Sequence, residues 1–114
     1  MDNCLFCRIV KREIPSKIVY EDDLVLCFQD IAPKAPVHLL LIPKVHVASL
    51  NDLKDEHKDV MAHLTMAIPQ VAEKMGIKES GYRVVVNCGK DSGQEVAHLH
   101  YHILGGRSFG NTFG

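Results

Sequence analysis

The sequence predicts an α+β fold: a mainly antiparallel sheet with one long helix and a short N-terminal helix. Three observations carry this expectation. Val96-Ala97-His98-Leu99-His100-Tyr101-His102-Ile103-Leu104 alternates histidine with large apolar residues, the two-residue period of a half-buried strand. Val37–Ile42 is the most apolar run and is bounded by Pro36 and Pro43, so it reads as a central strand. Leu53, His57, Val60, Met61, Leu64, Ile68, Val71, Ala72 and Met75 recur at the three- and four-residue steps of an amphipathic helix over about 53–75.

The remaining elements follow in chain order. Cys4–Arg12 reads as a short helix with Leu5, Phe6, Ile9 and Val10 on its inner side, ended by Pro15. Lys17–Tyr20 and Leu24–Phe28 read as strands joined by the polar turn Glu21-Asp22-Asp23. Two prolines make Asp30–Pro36 a loop. Within the long helix, Pro69 should remove one backbone hydrogen bond and kink the axis, and Gly76 suits the C′ position. Arg83–Asn87 reads as a further strand, Gly89–Gly93 as a turn, and Gly105–Gly114 as an irregular tail. No internal repeat or domain boundary is visible, so residues 1–114 are expected to form one domain.

Bulk composition narrows the function classes. At 46% hydrophobic and 24% charged, the 114 residues are those of an ordinary globular protein. A net charge of −1 with no basic block argues against a general nucleic-acid binder, but not against a small phosphorylated ligand. No stretch approaches the ~20 apolar residues of a membrane span. Met1-Asp2-Asn3-Cys4 lacks the basic and apolar regions of a signal peptide, so a cytoplasmic location is expected. Cys4, Cys7, Cys27 and Cys88 are then thiols or metal ligands rather than a disulfide framework.

The alternating run is where the chemistry concentrates. As a strand it sets His98, His100 and His102 on one face and Leu99, Tyr101 and Ile103 on the other, with neighbouring histidines ~7 Å apart. Such a row can do nucleophilic chemistry, bind phosphate or hold a metal. Glycines in the approach, Asp91-Ser92-Gly93-Gln94-Glu95, let backbone amides come close to an anion. Phosphoryl or nucleotidyl transfer fits an anion-friendly turn beside three imidazoles. Cys4-x-x-Cys7 is weak alone, because the same spacing serves zinc and redox chemistry. A thioredoxin-like role would want a strand and a βαβ setting, whereas only three residues precede Cys4. A closed zinc site would need two further ligands from elsewhere.

His-x-His-x-His followed by two apolar residues, with Gly93-Gln94 upstream, resembles the histidine-triad (HIT) superfamily. The likeness continues through Cys4-Leu5-Phe6-Cys7-Arg8-Ile9, Glu13-Ile14-Pro15, Phe28-Gln29-Asp30-Ile31-Ala32-Pro33, His38-Leu39-Leu40-Leu41-Ile42-Pro43-Lys44-Val45-His46, Gly81-Tyr82-Arg83 and Val86-Asn87, in the order of its Hint branch. The resemblance implies that His100 is the nucleophile, forming a transient nucleotidyl-histidine. It implies that His102 holds the phosphate, His98 contacts the far side of the strand and His38 completes a hydrogen-bonded relay. Asn87, Gly93, Gln94 and Val96 would line the phosphate pocket, partly through backbone, and Asp30 would bind the ribose hydroxyls. Leu5, Phe6, Ile9, Phe28 and Ile31 would enclose the base. Members hydrolyse nucleoside phosphoramidates and related purine nucleotide conjugates, release the nucleoside monophosphate, and are homodimers.

Relatives with the N-terminal cysteine pair complete a structural zinc site with histidines that fall here at His46 and His98. Cys4, Cys7, His46 and His98 are therefore the expected ligands of one zinc per chain, with no catalytic metal required. Without the resemblance, Phe6, Ile9, Phe28 and Ile31 would be core residues, Asp30 a turn residue, Asn87 a cap and His38 a buried core histidine. Cys27 and Cys88 would be small buried hydrophobes. Many members carry a serine where this chain has Glu95, which places leaving-group preference in question, and the tail lacks the tryptophan-containing ending of some members. Two rivals stand beside the hydrolase: a slow-turnover purine nucleotide-binding or interaction module, and a metalloenzyme with zinc on His98 and His100 activating water.

Overall fold

A computed structural model describes residues 3–113. A five-stranded antiparallel sheet has the order β1-β2-β3-β5-β4, with β1 Ile18–Glu21, β2 Val25–Gln29, β3 Val37–Pro43, β4 Tyr82–Val85 and β5 Tyr101–Gly105. The proline-bounded strand β3 takes the central position that its apolar run predicts. Helix α1 spans Leu5–Val10 and α2 spans Lys58–Lys74. Leu39, Leu41, Cys27 and Val25 join Leu64, Ile68 and Val71 in a core between one face of the sheet and α2. On the other face, Leu26, Phe28, Leu40 and Ile42 pack against Phe6 and Ile9. Each helix thus covers one face of one sheet, as the near-continuous burial along β2 and β3 requires.

Local chemistry explains the ends of the elements. The Cys4 sulfur accepts a hydrogen bond from the Cys7 amide and caps α1. Arg12, at φ 65°, ends that turn three residues before Pro15. In the β1–β2 turn, Asp22 Oδ1 accepts from the amides of Leu24 and Val25. At the end of α2, Gly76 adopts φ 74° while its amide and that of Ile77 donate to the carbonyls of Glu73 and Ala72. These two bonds make the glycine-closed helix end that the sequence predicts.

The structure moves three boundaries. The long helix begins at Lys58, not near 53, after short 3-10 turns at Leu50–Asp52 and Asp55–His57. Leu53 is extended, and His57 turns back so that its Nδ1 accepts from the Lys54 amide, which removes it from the apolar stripe. α2 continues unbroken through Pro69. Pro69 and Thr65 are both exposed, so the carbonyl that lacks its proline N–H faces solvent. β4 lies at Tyr82–Val85 rather than 83–87, because its ladder ends where Val85 pairs with His102.

The third change concerns the histidines themselves. The expected strand over Val96–Leu104 forms only from Tyr101 onward. β3 and β5 pair from Val37↔Gly105 to Leu41↔Tyr101 and then stop. Two steps further, Leu99 would face Pro43, which has no N–H to give to a ladder. His98 and His100 therefore sit on irregular backbone, held by hydrogen bonds of other kinds. Alternation nevertheless persists: Leu99, Tyr101 and Ile103 pack on the α2 side, while Phe6 of α1 meets the rings of His98 and His100.

Candidate functional site

The site lies on the α1 face of the sheet, where four histidines form a connected row. His102 pairs across the ladder with Leu40, and His38 lies two residues before Leu40 on the same face. The ring centroids of His100 and His102 are 5.0 Å apart, and those of His38 and His102 are 5.2 Å apart. The loop between β2 and β3 bends back to supply Asp30 and Lys34 beside His38.

Hydrogen-bond partners fix which ring nitrogen carries the proton. The Lys34 amide donates to His38 Nδ1 at 3.0 Å, so the proton of neutral His38 is on Nε2. Nε2 in turn lies 3.0 Å from His102 Nδ1 and 3.4 Å from Asp30 Oδ2. His102 Nδ1 is then the acceptor, and its Nε2 keeps an N–H donor. His100 has the opposite polarity. Its Nδ1 donates to the His98 carbonyl at 2.7 Å, which leaves a lone pair on Nε2. A lone-pair nitrogen on His100 thus lies beside an N–H donor on His102. Burial, reinforced by the other histidines, lowers the pKa of His102 to about 4. His38 is also lowered, first by burial, against the opposing pull of Asp30.

His98 has a third environment. Completely buried, it donates from Nε2 to the Pro43 carbonyl at 2.8 Å, which leaves the lone pair on Nδ1. That nitrogen lies 3.4 Å from Cys4 Sγ and 3.5 Å from Cys7 Sγ, and His46 Nδ1 lies 3.3 Å from Cys7 Sγ. Bonds of about 2.3 Å to sulfur and 2.0–2.1 Å to nitrogen give a tetrahedron with sulfur–nitrogen edges of about 3.5 Å. These four residues, the ones the sequence names, can hold a metal ion. Burial, with the neighbouring Cys4, pushes the Cys7 thiol up to about 11, so a cation is needed to hold it as thiolate.

Asp30, His38 and His102 also bring ligand atoms together. Their donor chemistry does not suit an ion. With His38 Nδ1 accepting from the Lys34 amide, a metal on Nε2 would require an imidazolate.

The expected nucleotide residues occupy varied settings. Phe6, Ile9 and Phe28 are buried in one cluster, and Val96 packs against it. Leu5 is 43% exposed and Ile31 97% exposed, so these two lie outside the cluster. Asp30 is both a turn residue and a neighbour of the relay, because Oδ1 accepts from the Ala32 amide at 2.8 Å. Asn87 is half-buried just after β4. Gly93 adopts φ 86°, a conformation that favours glycine. The Gln94 side chain braces its own loop: Oε1 accepts from the Gly89 amide, and Nε2 donates to the carbonyls of Ala48 and Val96. Its backbone amide also bonds within the loop, donating to the Gly89 carbonyl at 3.3 Å. Glu95 is exposed on a groove it shares with Asn3, Cys4, Leu5, His46, Val96 and Ala97.

Three contributors escape sequence reading: the Lys34 amide, the Pro43 carbonyl and the Val47 carbonyl, which accepts from the Leu99 amide. Each acts through backbone, so residue type carries no sign of it. Cys27 is buried, and burial raises its thiol to about 12, as expected of a core cysteine. Cys88 is only half-buried.

Comparison with known proteins agrees with this geometry. The HIT domain profile matches residues 11–109. The chain belongs to the HIT family. A HIT relative from Escherichia coli K12, purine nucleoside phosphoramidase, is 45% identical over 109 residues, covering 96% of this chain and 92% of the relative. Protein HitA of Neisseria gonorrhoeae is 49% identical over 105 residues, covering 92% and 97%. Among solved HIT structures, a histidine triad protein from Clostridium difficile superposes with a TM-score of 0.93 at 50% identity, covering 99% of this chain and 97% of its own. A HIT family hydrolase from Clostridium thermocellum gives a TM-score of 0.95 at 47% identity, covering 98% and 97%. These neighbours bear out the α+β fold with its five-stranded antiparallel sheet.

Proposed function

We propose that this HIT protein hydrolyses nucleoside 5′-phosphoramidates, or related purine nucleotide conjugates, through a nucleotidyl-histidine on His100. The single observation that carries the reading is the hydrogen bond from His100 Nδ1 to the His98 carbonyl, which leaves a lone pair on Nε2. The name of the Escherichia coli relative supports the substrate class. In this scheme Nε2 attacks phosphorus and the P–N bond breaks. The amine departs with a proton taken up from solvent, and water then cleaves the phosphorus–histidine bond, releasing the nucleoside monophosphate and returning a proton to solvent. His102 donates from Nε2 to a phosphoryl oxygen, and His38 with Asp30 holds His102 in that tautomer. Backbone around Gly93, Gln94 and Val96, with Asn87, completes the phosphate pocket. Phe6, Ile9 and Phe28 with Leu5 and Ile31 receive the base, and Asp30 the ribose.

Zinc is the proposed ion for Cys4, Cys7, His46 and His98, in a structural role that leaves the reaction to the other histidines. A purine nucleotide is the proposed ligand, a second copy the proposed partner, and the cytoplasm the proposed location. No helix among the described residues is long and apolar enough to cross a membrane. The decisive experiment is His100→Ala assayed on an adenosine phosphoramidate. Turnover should fall by at least about 10³-fold while adenosine monophosphate still binds, since removal of a nucleophile costs that much or more. Undiminished turnover would refute the assignment.

A further inference from the structure

Three donor residues, Cys4, Cys7 and His46, surround the ring of His98, and two routes tie this cluster to the neighbouring His100. The peptide between His98 and Leu99 is the centre of this arrangement. Its carbonyl accepts the proton of His100 Nδ1 at 2.7 Å. Its amide donates in turn to the Val47 carbonyl at 2.6 Å. No strand ladder holds this peptide, because β5 begins only at Tyr101. Its orientation depends on two anchors: the His98 ring, pinned to Pro43, and the Val47 carbonyl, one residue beyond His46. The remaining donors act through Phe6, which lies between Cys4 and Cys7. Its buried ring makes edge-on contacts with His98 at 5.9 Å and His100 at 5.1 Å between centroids.

We propose that His98 is a positioning residue for His100, and that the Cys4, Cys7, His46 and His98 cluster, when it holds a metal ion, fixes the tautomer and orientation of the nucleophile. This builds on the function proposed above, because it assigns a control to the same reaction. A metal on His98 Nδ1 locks the imidazole in the tautomer that Pro43 selects, and so fixes the plane of the 98–99 peptide. The carbonyl of that plane holds the His100 proton on Nδ1. With the donors unbridged, the His98 ring keeps only its Pro43 bond, the His46–Val47 segment loses its tie to the cluster, and the peptide can rotate. Proton occupancy of His100 then divides between its two nitrogens, and the share with a lone pair on Nε2 falls. The cluster is therefore coupled to chemistry without touching substrate.

Two readouts separate this from a purely structural role. Ring nitrogen chemical shifts of ¹⁵N-histidine-labelled protein report the His100 tautomer directly, with no substrate present. Kinetics on an adenosine phosphoramidate report kcat and KM separately. Protein loaded with Zn²⁺ should show His100 in the single Nδ1–H form. Protein stripped with a mercurial and chelator, or carrying His46→Ala, should show mixed tautomers, a kcat lower by about 10- to 100-fold and a KM within about threefold, the scale of lost outer-shell support. His46→Cys restores a donor and should restore both readouts on reloading with Zn²⁺. If the stripped protein and His46→Ala unfold, Zn²⁺- and Cd²⁺-loaded wild type are compared instead. The longer Cd–S bonds should then shift the His100 nitrogen resonances, and unshifted resonances overturn the proposal. An unchanged His100 tautomer in folded, metal-free protein overturns it as well. Absence of phosphoramidate turnover in the loaded wild type would overturn the functional reading alone, because the nitrogen shifts still decide the coupling.

Discussion

His38 donates from Nε2 to Nδ1 of His102 across 3.0 Å, and this bond sets the polarity of the site. It leaves His102 Nε2 as an N–H donor, the form that a phosphoryl oxygen would need. His38→Ala should therefore lower kcat by about 10- to 100-fold with a smaller effect on KM, as for a lost orienting partner. His38→Gln, whose amide nitrogen can donate, should recover part of the loss. Steady-state kinetics on a nucleoside phosphoramidate check both.

Acid should destabilise the protein through the same pair. His102 is held at about 4 and His38 below its usual value, mainly by burial, so the unfolded chain binds more protons over that range. Stability is fully present above about pH 6.5 and is lost as pH falls from there toward about 4. Urea denaturation at a series of pH values should show this slope, and His102→Asn should flatten it.

Metal removal should cost stability as well as order. Elemental analysis of protein purified without chelator should find about one zinc per chain, because binding energy at a closed site becomes folding energy. Cys4→Ser should lower the melting temperature by on the order of 10 °C, corresponding to roughly 2 kcal/mol for a chain of this size. Calorimetry with and without chelator measures it.

Asp22 ties the β1–β2 turn to α2. Its Oδ2 accepts from Tyr20 at 2.9 Å and lies 2.7 Å from His63 Nε2, while Oδ1 caps the turn. Burial alone would raise its carboxyl, but the hydrogen bonds from His63, Leu24, Tyr20 and Val25 hold it well below the usual range. Asp22→Ala should destabilise the fold by about 1–3 kcal/mol without altering kcat. Denaturant unfolding and an activity assay on the same sample test this.

Glu95 should bias the leaving group. An exposed carboxylate on the groove beside Val96 favours amines with a second positive charge. Glu95→Ser should reduce that preference by roughly two- to fivefold, the scale of an exposed ion pair. Relative kcat/KM for a diamine and a monoamine conjugate of adenosine monophosphate is the measurement.

Much of this was legible in residue types. Side-chain period places the strands and the apolar run places β3 at the centre, while the resemblance to the HIT family, not residue type, supplies His46 and His98 as partners of Cys4 and Cys7. The early end of the histidine strand was harder to see. It depends on Pro43 falling opposite Leu99, a register that exists only once β3 and β5 are paired. The late start of α2 was hidden for a related reason. Leu53 keeps the helical spacing, yet the backbone there is extended and His57 caps the turn before it. Proton positions on His38, His98 and His100 depend on backbone groups of Lys34, Pro43 and His98, and no side-chain pattern announces those.

The strand order has a consequence for how the protein is made. β5 follows β4 in the chain but lies between β3 and β4. While a nascent chain is still short of Tyr101–Gly105, β3 and β4 each expose an unpaired edge, the kind of surface on which strands of different molecules join. Translation that stalls in this interval leaves a product with two sticky borders and no histidine row. The segment that assembles the site also covers the edge of β3 and ties β4 into the sheet.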